Sequence, residues 1–212
     1  MDPFAQRREL MVRRDIEARG IGDARVLAAM RRVPRERFVP QRYRDGAYED
    51  GALPIGAHQT ISQPYVVAWM LDSLELPAEA RVLEIGTGSG YGAAVLAEIA
   101  AVVVTVERLS ELADLAREVL RDLGYTNVVV VVGDGTLGYP DSAPYDGICV
   151  TAAAPEIPRT LLSQLAEHGR LVIPVGDRDG QELTVVARDG DRFSRKSVGG
   201  VRFVPLIGDQ GW

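Results

Sequence analysis

VLEIGTGSGYG, residues 82–92, runs from a short apolar strand straight into glycines at 86, 88 and 90 and then into a helix-forming stretch. Glycines at such a turn let the backbone bend sharply and approach a ligand. The spacing is G-x-G-x-G, and Tyr91 stands where a dinucleotide fingerprint would carry its third glycine, which weakens a nicotinamide or flavin reading. Taken alone, the three glycines are also compatible with simple close packing.

Outward from this turn, apolar runs and helical periods alternate. Strands are predicted at Arg81–Ile85, Val102–Val106, Asn127–Val132, Tyr145–Val150 and Arg170–Val175. Helices are predicted near Tyr91–Ile99, at Glu111–Leu123 between a Ser110 cap and a Gly124 stop, and around Ile157–Glu167. Strands so uniformly apolar are expected to be buried on both faces, which predicts a doubly wound α/β fold with a mostly parallel sheet. Leu183–Ala187 and Phe193–Val198, joined through Asp189-Gly190, read as an antiparallel hairpin at the C-terminal edge.

Upstream, helical spacing covers Phe4–Arg19 and Asp23–Arg32, and a further helix follows Pro64 and ends at Pro77. The Pro- and Gly-rich segment between them carries Phe38, Val39, Tyr43, Tyr48, Leu53 and Ile55 as anchors, so it reads as a folded cover over a site. The expected organisation is a single domain: helices and cover over 1–64, an α/β core over 65–180, and a hairpin with its tail over 181–212.

Composition narrows the class. The 212 residues are 46% hydrophobic and 25% charged, enough apolar mass for a sizeable core and incompatible with intrinsic disorder. No apolar run approaches the roughly 20 residues of a membrane span, and the charged start MDPFAQRRELMVRR does not resemble a secretory signal. The lone cysteine, Cys149, has no disulfide partner, and a cytoplasmic location is expected. Net charge is −6, yet arginine is concentrated between Arg7 and Arg44. Interleaved acids (Glu9, Asp15, Glu17, Asp23, Glu36) favour wet helix faces over a nucleic-acid surface. The expectation is therefore no nucleic-acid partner and no membrane partner; oligomeric state is not readable from the sequence, and a monomer is favoured.

Three acids point to the ligand. Glu107 ends the second strand about 20 residues after the glycines, where a carboxylate accepts both hydroxyls of an adenosine ribose. Glu84 places negative charge beside the loop, which would repel a pyrophosphate and attract a ligand carrying ammonium and sulfonium groups. Asp134, in Gly133-Asp134-Gly135 after the third strand, comes within reach of an adenine amino group. S-adenosylmethionine fits this set.

The chain resembles the protein L-isoaspartate O-methyltransferases nearly end to end. The resemblance rests on RRVPRERFVP (31–40), PIGAHQTISQP (54–64), VLEIGTGSGY (82–91), GDG (133–135), YDGICVTAAAPEIP (145–158) and VRFVPLIGDQGW (201–212). It implies a Rossmann-like class I methyltransferase that transfers the methyl of S-adenosylmethionine, leaving S-adenosylhomocysteine, to the α-carboxylate of L-isoaspartyl residues in damaged proteins and peptides. Collapse of that ester to a succinimide begins repair. By the same resemblance Ser62 matches the active-site serine, with Thr60 beside it. Thr60, Ile61, Glu84, Gly86, Thr87, Gly88, Ser89, Gly90, Glu107, Asp134 and Gly135 match cofactor positions, and Val204, Pro205 and Leu206 flank the substrate backbone.

The chemistry agrees with this inventory. A carboxylate with a pKa of about 3.5 is ionised at neutral pH, so its methylation needs no general base and the absence of a Ser-His-Asp set is no obstacle. Ser62 can orient the carboxylate by a hydrogen bond, or cap the helix that starts near Pro64, or do both. His58 reads as a loop histidine, His168 as a helix-end histidine and Cys149 as a small core hydrophobe; no metal site is expected. Three rivals remain. The first is a nucleic-acid methyltransferase, which would want an exocyclic-amine-binding loop where Thr151–Pro155 reads TAAAP. The others are a small-carboxylate methyltransferase and a non-catalytic adenosine-binding module.

Overall fold

In the computed structural model, which describes residues 3–212, the chain opens with α1 (Ala5–Met11). It continues through a wider π turn over Val12–Ile16 and a 3-10 turn over Glu17–Arg19. The predicted helix over 4–19 is therefore α-helical only in its first half. α2 (Ala24–Arg32) starts where expected because the Asp23 carboxylate accepts the N–H groups of Arg25 and Val26 at 2.7 and 3.2 Å. The cover descends through 3-10 turns at Arg35–Phe38 and Gln41–Gly46 into a small hairpin, β1 (Leu53–Gly56) and β2 (Gln59–Ile61). Pro54 and Gly56 hide the hairpin from sequence reading. Its two-residue turn, Ala57-His58, has φ of 48° and 58°, the left-handed geometry that matches strand twist.

From there the alternation runs α3 (Pro64–Ser73), β3 (Arg81–Ile85), α4 (Tyr91–Ala97), β4 (Val102–Glu107), α5 (Ser110–Asp122), β5 (Val128–Val132), β6 (Tyr145–Val150), α6 (Arg159–Ser163), β7 (Leu165–Gly176), β8 (Gln181–Asp189) and β9 (Arg192–Val201). The seven-stranded sheet has the order β5-β4-β3-β6-β7-β8-β9, parallel from β5 to β7 and antiparallel across β7-β8-β9. Alternate residues of the central strands enter two separate cores. Val82, Val103, Cys149 and Val172 face one, beneath α1 to α5, whereas Leu83, Val104, Ile148 and Leu171 face the other, with Leu161, Ile157 and Leu206. Burial of that kind confirms the doubly wound reading.

Four expectations need correction. The helix predicted over 157–167 shrinks to Arg159–Ser163, because Pro155 and Pro158 delay its start and β7 already begins at Leu165. His168 consequently lies in a strand irregularity, at φ 63° next to Gly169, and not at a helix end. Ser110 is the first residue of α5 and caps nothing; its N-cap Leu109 instead gives its N–H to Glu107 at 3.0 Å. β5 is an edge strand, with Val129 and Val132 at 50% and 44% exposure, so five consecutive valines are not buried on both faces.

The arginine-rich start is largely wet and paired: Arg14 with Asp15, Arg19 with Asp50, Arg25 with Asp23, Arg31 with Glu9 and Glu17, and Arg32 with Glu98. Arg8 and Arg35 depart from that reading, because both are buried. Arg8 donates to the Tyr48 hydroxyl at 2.8 Å, and that hydroxyl donates in turn to Glu36.

Candidate active site

Strand order reverses at β3, so the C-terminal ends of β3, β4 and β6 open a crevice of the sort in which parallel sheets bind ligands. Gly86 leaves β3 at φ 94°, its N–H bonded to the Val106 carbonyl at 2.8 Å. A Cβ at Gly86 would stand 2.4 Å from Thr151 Oγ1, and that hydroxyl bonds the carbonyls of Ile85 and Gly86 at 3.0 and 2.7 Å. Thus β6 fixes the loop that β3 delivers.

Three cavities meet there. One of 340 Å³ is lined by Gly86, Gly88, Glu107, Arg108, Gly135 and Leu206 among others, a size suited to a small organic ligand. A narrow one of 60 Å³ reaches Glu84, Thr87, Ser89 and Cys149. The third, an open groove of 1060 Å³, runs past Ser62, Tyr65, Trp69, Asp177, Arg202 and Val204. Thr60 and Thr151 line all three, and Ser62 lines both the groove and the narrow cavity.

The acids behave differently from one another. Glu107 lines the 340 Å³ cavity, and its oxygens accept the N–H groups of Gly88 at 2.9 Å and Leu109 at 3.0 Å. Each oxygen keeps a second lone pair, so the carboxylate can still receive two hydroxyls, as a ribose would present. Glu84 is 1% exposed and accepts the Thr105 hydroxyl at 2.6 Å. Burial, with a further push from the Glu107 charge, raises its pKa to about 8, so in the free protein it is chiefly a neutral acid rather than the standing negative charge expected from sequence. A cation bound beside it would draw the proton off. Asp134 is not among the residues lining these three cavities. Its carboxylate is occupied by the Thr136 N–H and hydroxyl at 2.8 and 2.7 Å and by the Asp209 N–H at 2.8 Å, tying the chain terminus to β5. Burial opposes ionisation of Asp134, and the bonds from Asp209 and Thr136 outweigh it and lower its pKa. Asp134 thus anchors the tail through Asp209, while its Oδ2 accepts a single N–H and keeps a second lone pair; the next residue, Gly135, lies at the cavity wall.

The other positions fall as follows. Thr87 is buried against the Thr105 hydroxyl at 2.6 Å, and Ser89 lines the narrow cavity. Gly90 lines none of these three cavities; a Cβ on it would meet Ala116 at 3.2 Å, which makes it a packing glycine between α4 and α5. Ile61 is buried at the floor of the narrow cavity. Ser62 does not cap α3: Gln63 is the N-cap, and the Ser62 hydroxyl makes no hydrogen bond among the described residues. Val204 lines both the groove and the 340 Å³ cavity, while Pro205 and Leu206 line only the latter. Ala153 holds this tail, donating to the Val204 carbonyl at 2.8 Å and accepting from Leu206 at 2.7 Å. Sequence reading does not single out Thr151, Arg108 or His58 as lining residues. Their shared signal is position, directly after β6 and β4 and at the hairpin tip. Among the described residues, Glu167, His168 and Asp189 bring potential ligand atoms within 4.8 Å of one another, a grouping that their sequence spacing conceals. All three are exposed, and Glu167 already accepts the Gly190 N–H at 2.7 Å.

A family model described as protein-L-isoaspartate(D-aspartate) O-methyltransferase matches residues 6–211. A protein-L-isoaspartate O-methyltransferase of Methanoculleus marisnigri is 59% identical over 211 residues, covering 100% of this chain and 96% of that protein. One from Methanoregula boonei is 58% identical over 210 residues, covering 99% and 97%. A solved structure named protein-L-isoaspartate O-methyltransferase superposes with a TM-score of 0.86 at 31% identity, covering 96% of this chain and 67% of that one. A Plasmodium falciparum structure described as a putative enzyme of the same name in complex with S-adenosyl-L-homocysteine gives a TM-score of 0.81 at 24% identity, covering 94% and 98%, and speaks to the fold alone.

Proposed function

The chain belongs to the protein-L-isoaspartate(D-aspartate) O-methyltransferase family, and from that premise we propose how its residues divide the work. It is an S-adenosylmethionine-dependent carboxyl methyltransferase acting on L-isoaspartyl residues of proteins and peptides. Bound S-adenosylmethionine supplies a methyl group on a sulfonium. Glu107 receives the ribose hydroxyls, the backbone at Gly86, Gly88 and Gly135 walls the nucleoside, and Glu84 with Thr87 and Ser89 faces the cationic end. The donor set and the 340 Å³ cavity beside Glu107 support that assignment.

Substrate enters the open groove. The isoaspartyl α-carboxylate arrives ionised, so these residues orient it and exclude water; no side chain has to remove a proton. Ser62 donates a hydrogen bond to one carboxylate oxygen, and Thr60 closes the passage between groove and cofactor cavities. Val204 and the tail beyond it flank the substrate backbone. The observation carrying this reading is the Ser62 hydroxyl, without a partner among the described residues, on the wall that groove and narrow cavity share.

The reading extends to one domain, a monomer, working in the cytoplasm without nucleic acid or membrane. The pairing of the N-terminal arginines with acids supports the absence of a nucleic-acid surface. Among the described residues no helix is long and apolar enough to cross a membrane. Methyl transfer to two peptides, identical except for L-isoaspartate or L-aspartate at one position, tests the activity. Base-labile label on the isoaspartyl peptide alone is expected. Equal label on both, or none on either with cofactor binding intact, would overturn it.

A further inference from the structure

Arg35 is 0% exposed, in a protein whose other N-terminal arginines mostly face water. Its Nε donates to the Ala47 carbonyl at 2.8 Å, and its Nη2 donates to the Ser62 carbonyl at 2.7 Å. The guanidinium lies 4.8 Å from the ring centre of Tyr91, the first residue of α4 and the residue directly after the glycine loop. One side chain therefore joins the cover, the Ser62 segment and the cofactor loop. The next residue is gripped as well: Gln63 Nε2 donates to Asp50 Oδ2 at 2.6 Å, and the same Asp50 oxygen receives Arg19 at 2.8 Å. Arg35 Nη1 and Asp50 Oδ1 are buried with no hydrogen-bond partner among the described residues.

Such a cation is costly to bury. Desolvation lowers its pKa, with the neighbouring Tyr91, Tyr48 and Asp50 pushing the other way, and an apolar side chain of like volume would often be as stable. What an apolar side chain cannot do is hold two carbonyls of separate segments in one rigid planar fork. The backbone on either side of the Ser62 hydroxyl is thereby clamped from within the cover.

We propose that Arg35, with Asp50 as the second grip, is a positioning residue for methyl transfer, fixing the Ser62–Gln63 backbone so that the Ser62 hydroxyl faces the methyl-accepting carboxylate. The inference rests on the role given to Ser62 above. Neither side chain touches substrate; both act through Ser62.

Steady-state kinetics on an isoaspartyl peptide and S-adenosylhomocysteine binding, measured for Arg35→Lys, Asp50→Asn, Ser62→Ala and the two doubles, test it. A lysine offers a point donor that cannot hold both carbonyls. Arg35→Lys and Asp50→Asn should each lower kcat, Arg35→Lys by an order of magnitude or more, with Kd for S-adenosylhomocysteine changed less than about twofold. In the Ser62→Ala background both losses should shrink to within about twofold, because the group being positioned is gone. Full additivity in the doubles, or kcat falling in step with a rise in Kd for S-adenosylhomocysteine, overturns the positioning role while leaving Ser62 standing. Undiminished activity of Ser62→Ala instead removes the reading of Ser62 itself. Should Arg35→Lys fail to fold, seen as lost S-adenosylhomocysteine binding, Asp50→Asn decides, since it is nearly isosteric and its side chain is 22% exposed.

Discussion

Glu107 Oε2 accepts the Gly88 N–H at 2.9 Å, so the acid that ends β4 holds in place the glycine loop that follows β3. Its other oxygen does the same for the Leu109 N–H ahead of α5. One carboxylate thus shapes the cavity before any ligand arrives. Glu107→Gln puts an amide NH₂ against one of these N–H donors and loses an acceptor for a ribose hydroxyl. Affinity for S-adenosylhomocysteine, measured by calorimetry, should weaken about tenfold or more, on the order of 1.5–3 kcal/mol. Unaltered affinity would mean that Glu107 is purely a loop anchor.

Glu84 predicts a pH dependence. Burial raises its folded pKa to about 8 from an ordinary value of 4.5. Between these values the unfolded chain has lost the proton and the native protein retains it, so this contribution to stability is full below 4.5 and is lost as pH rises through 8. Urea midpoints of the ligand-free protein should therefore fall across that window relative to Glu84→Gln, which lacks the titration. Binding of the cationic cofactor near neutral pH should release a proton, read as a dependence of the calorimetric heat on buffer ionisation enthalpy. Parallel midpoint profiles for both proteins would refute the assignment.

Ser62→Ala should lower kcat for the isoaspartyl peptide by roughly ten- to a hundredfold, while S-adenosylhomocysteine affinity and the melting temperature stay near those of the parent. The hydroxyl has no structural bond to lose. A drop in melting temperature matching the drop in rate would mark it as structural instead.

Arg117 guards an edge. Its Nε and Nη2 reach the Val130 carbonyl at 3.3 and 2.9 Å, covering an outward acceptor of β5, a strand of five valines with two of them well exposed. Arg117→Ala should leave turnover within about twofold and speed aggregation at raised temperature, followed by light scattering, since an uncovered apolar edge is a template for further strands. Equal scattering rates would show that the edge needs no guard.

Much of this was legible in the chain. Gly86 and Gly88 bordering the cavity, Glu107 at a strand end and the C-terminal hairpin follow from spacing, because period-2 strands and left-handed glycine turns are local properties. The hairpin's turn is Gly190-Asp191, one residue later than the Asp189-Gly190 expected. The Arg159–Ser163 helix and the β1-β2 hairpin were harder, since Pro155, Pro158, Pro54 and Gly56 blur both periods. Asp134 illustrates a different limit. Its strand-end position is identical in kind to that of Glu107, yet one acid faces the cavity and the other binds Thr136 and Asp209, a residue 75 positions away.

What the sequence by itself determined is the doubly wound sheet, the glycine loop, the three acids at its edge and the family resemblance, all carried by neighbours along the chain. Only the tertiary structure decided that Glu84 is neutral when free, that Arg35 is buried, that Thr151 pins the loop and that Ser62 borders two cavities at once. Those properties depend on desolvation and on contacts between segments far apart in sequence, such as the 27 residues separating Arg35 from Ser62, and local periodicity encodes neither.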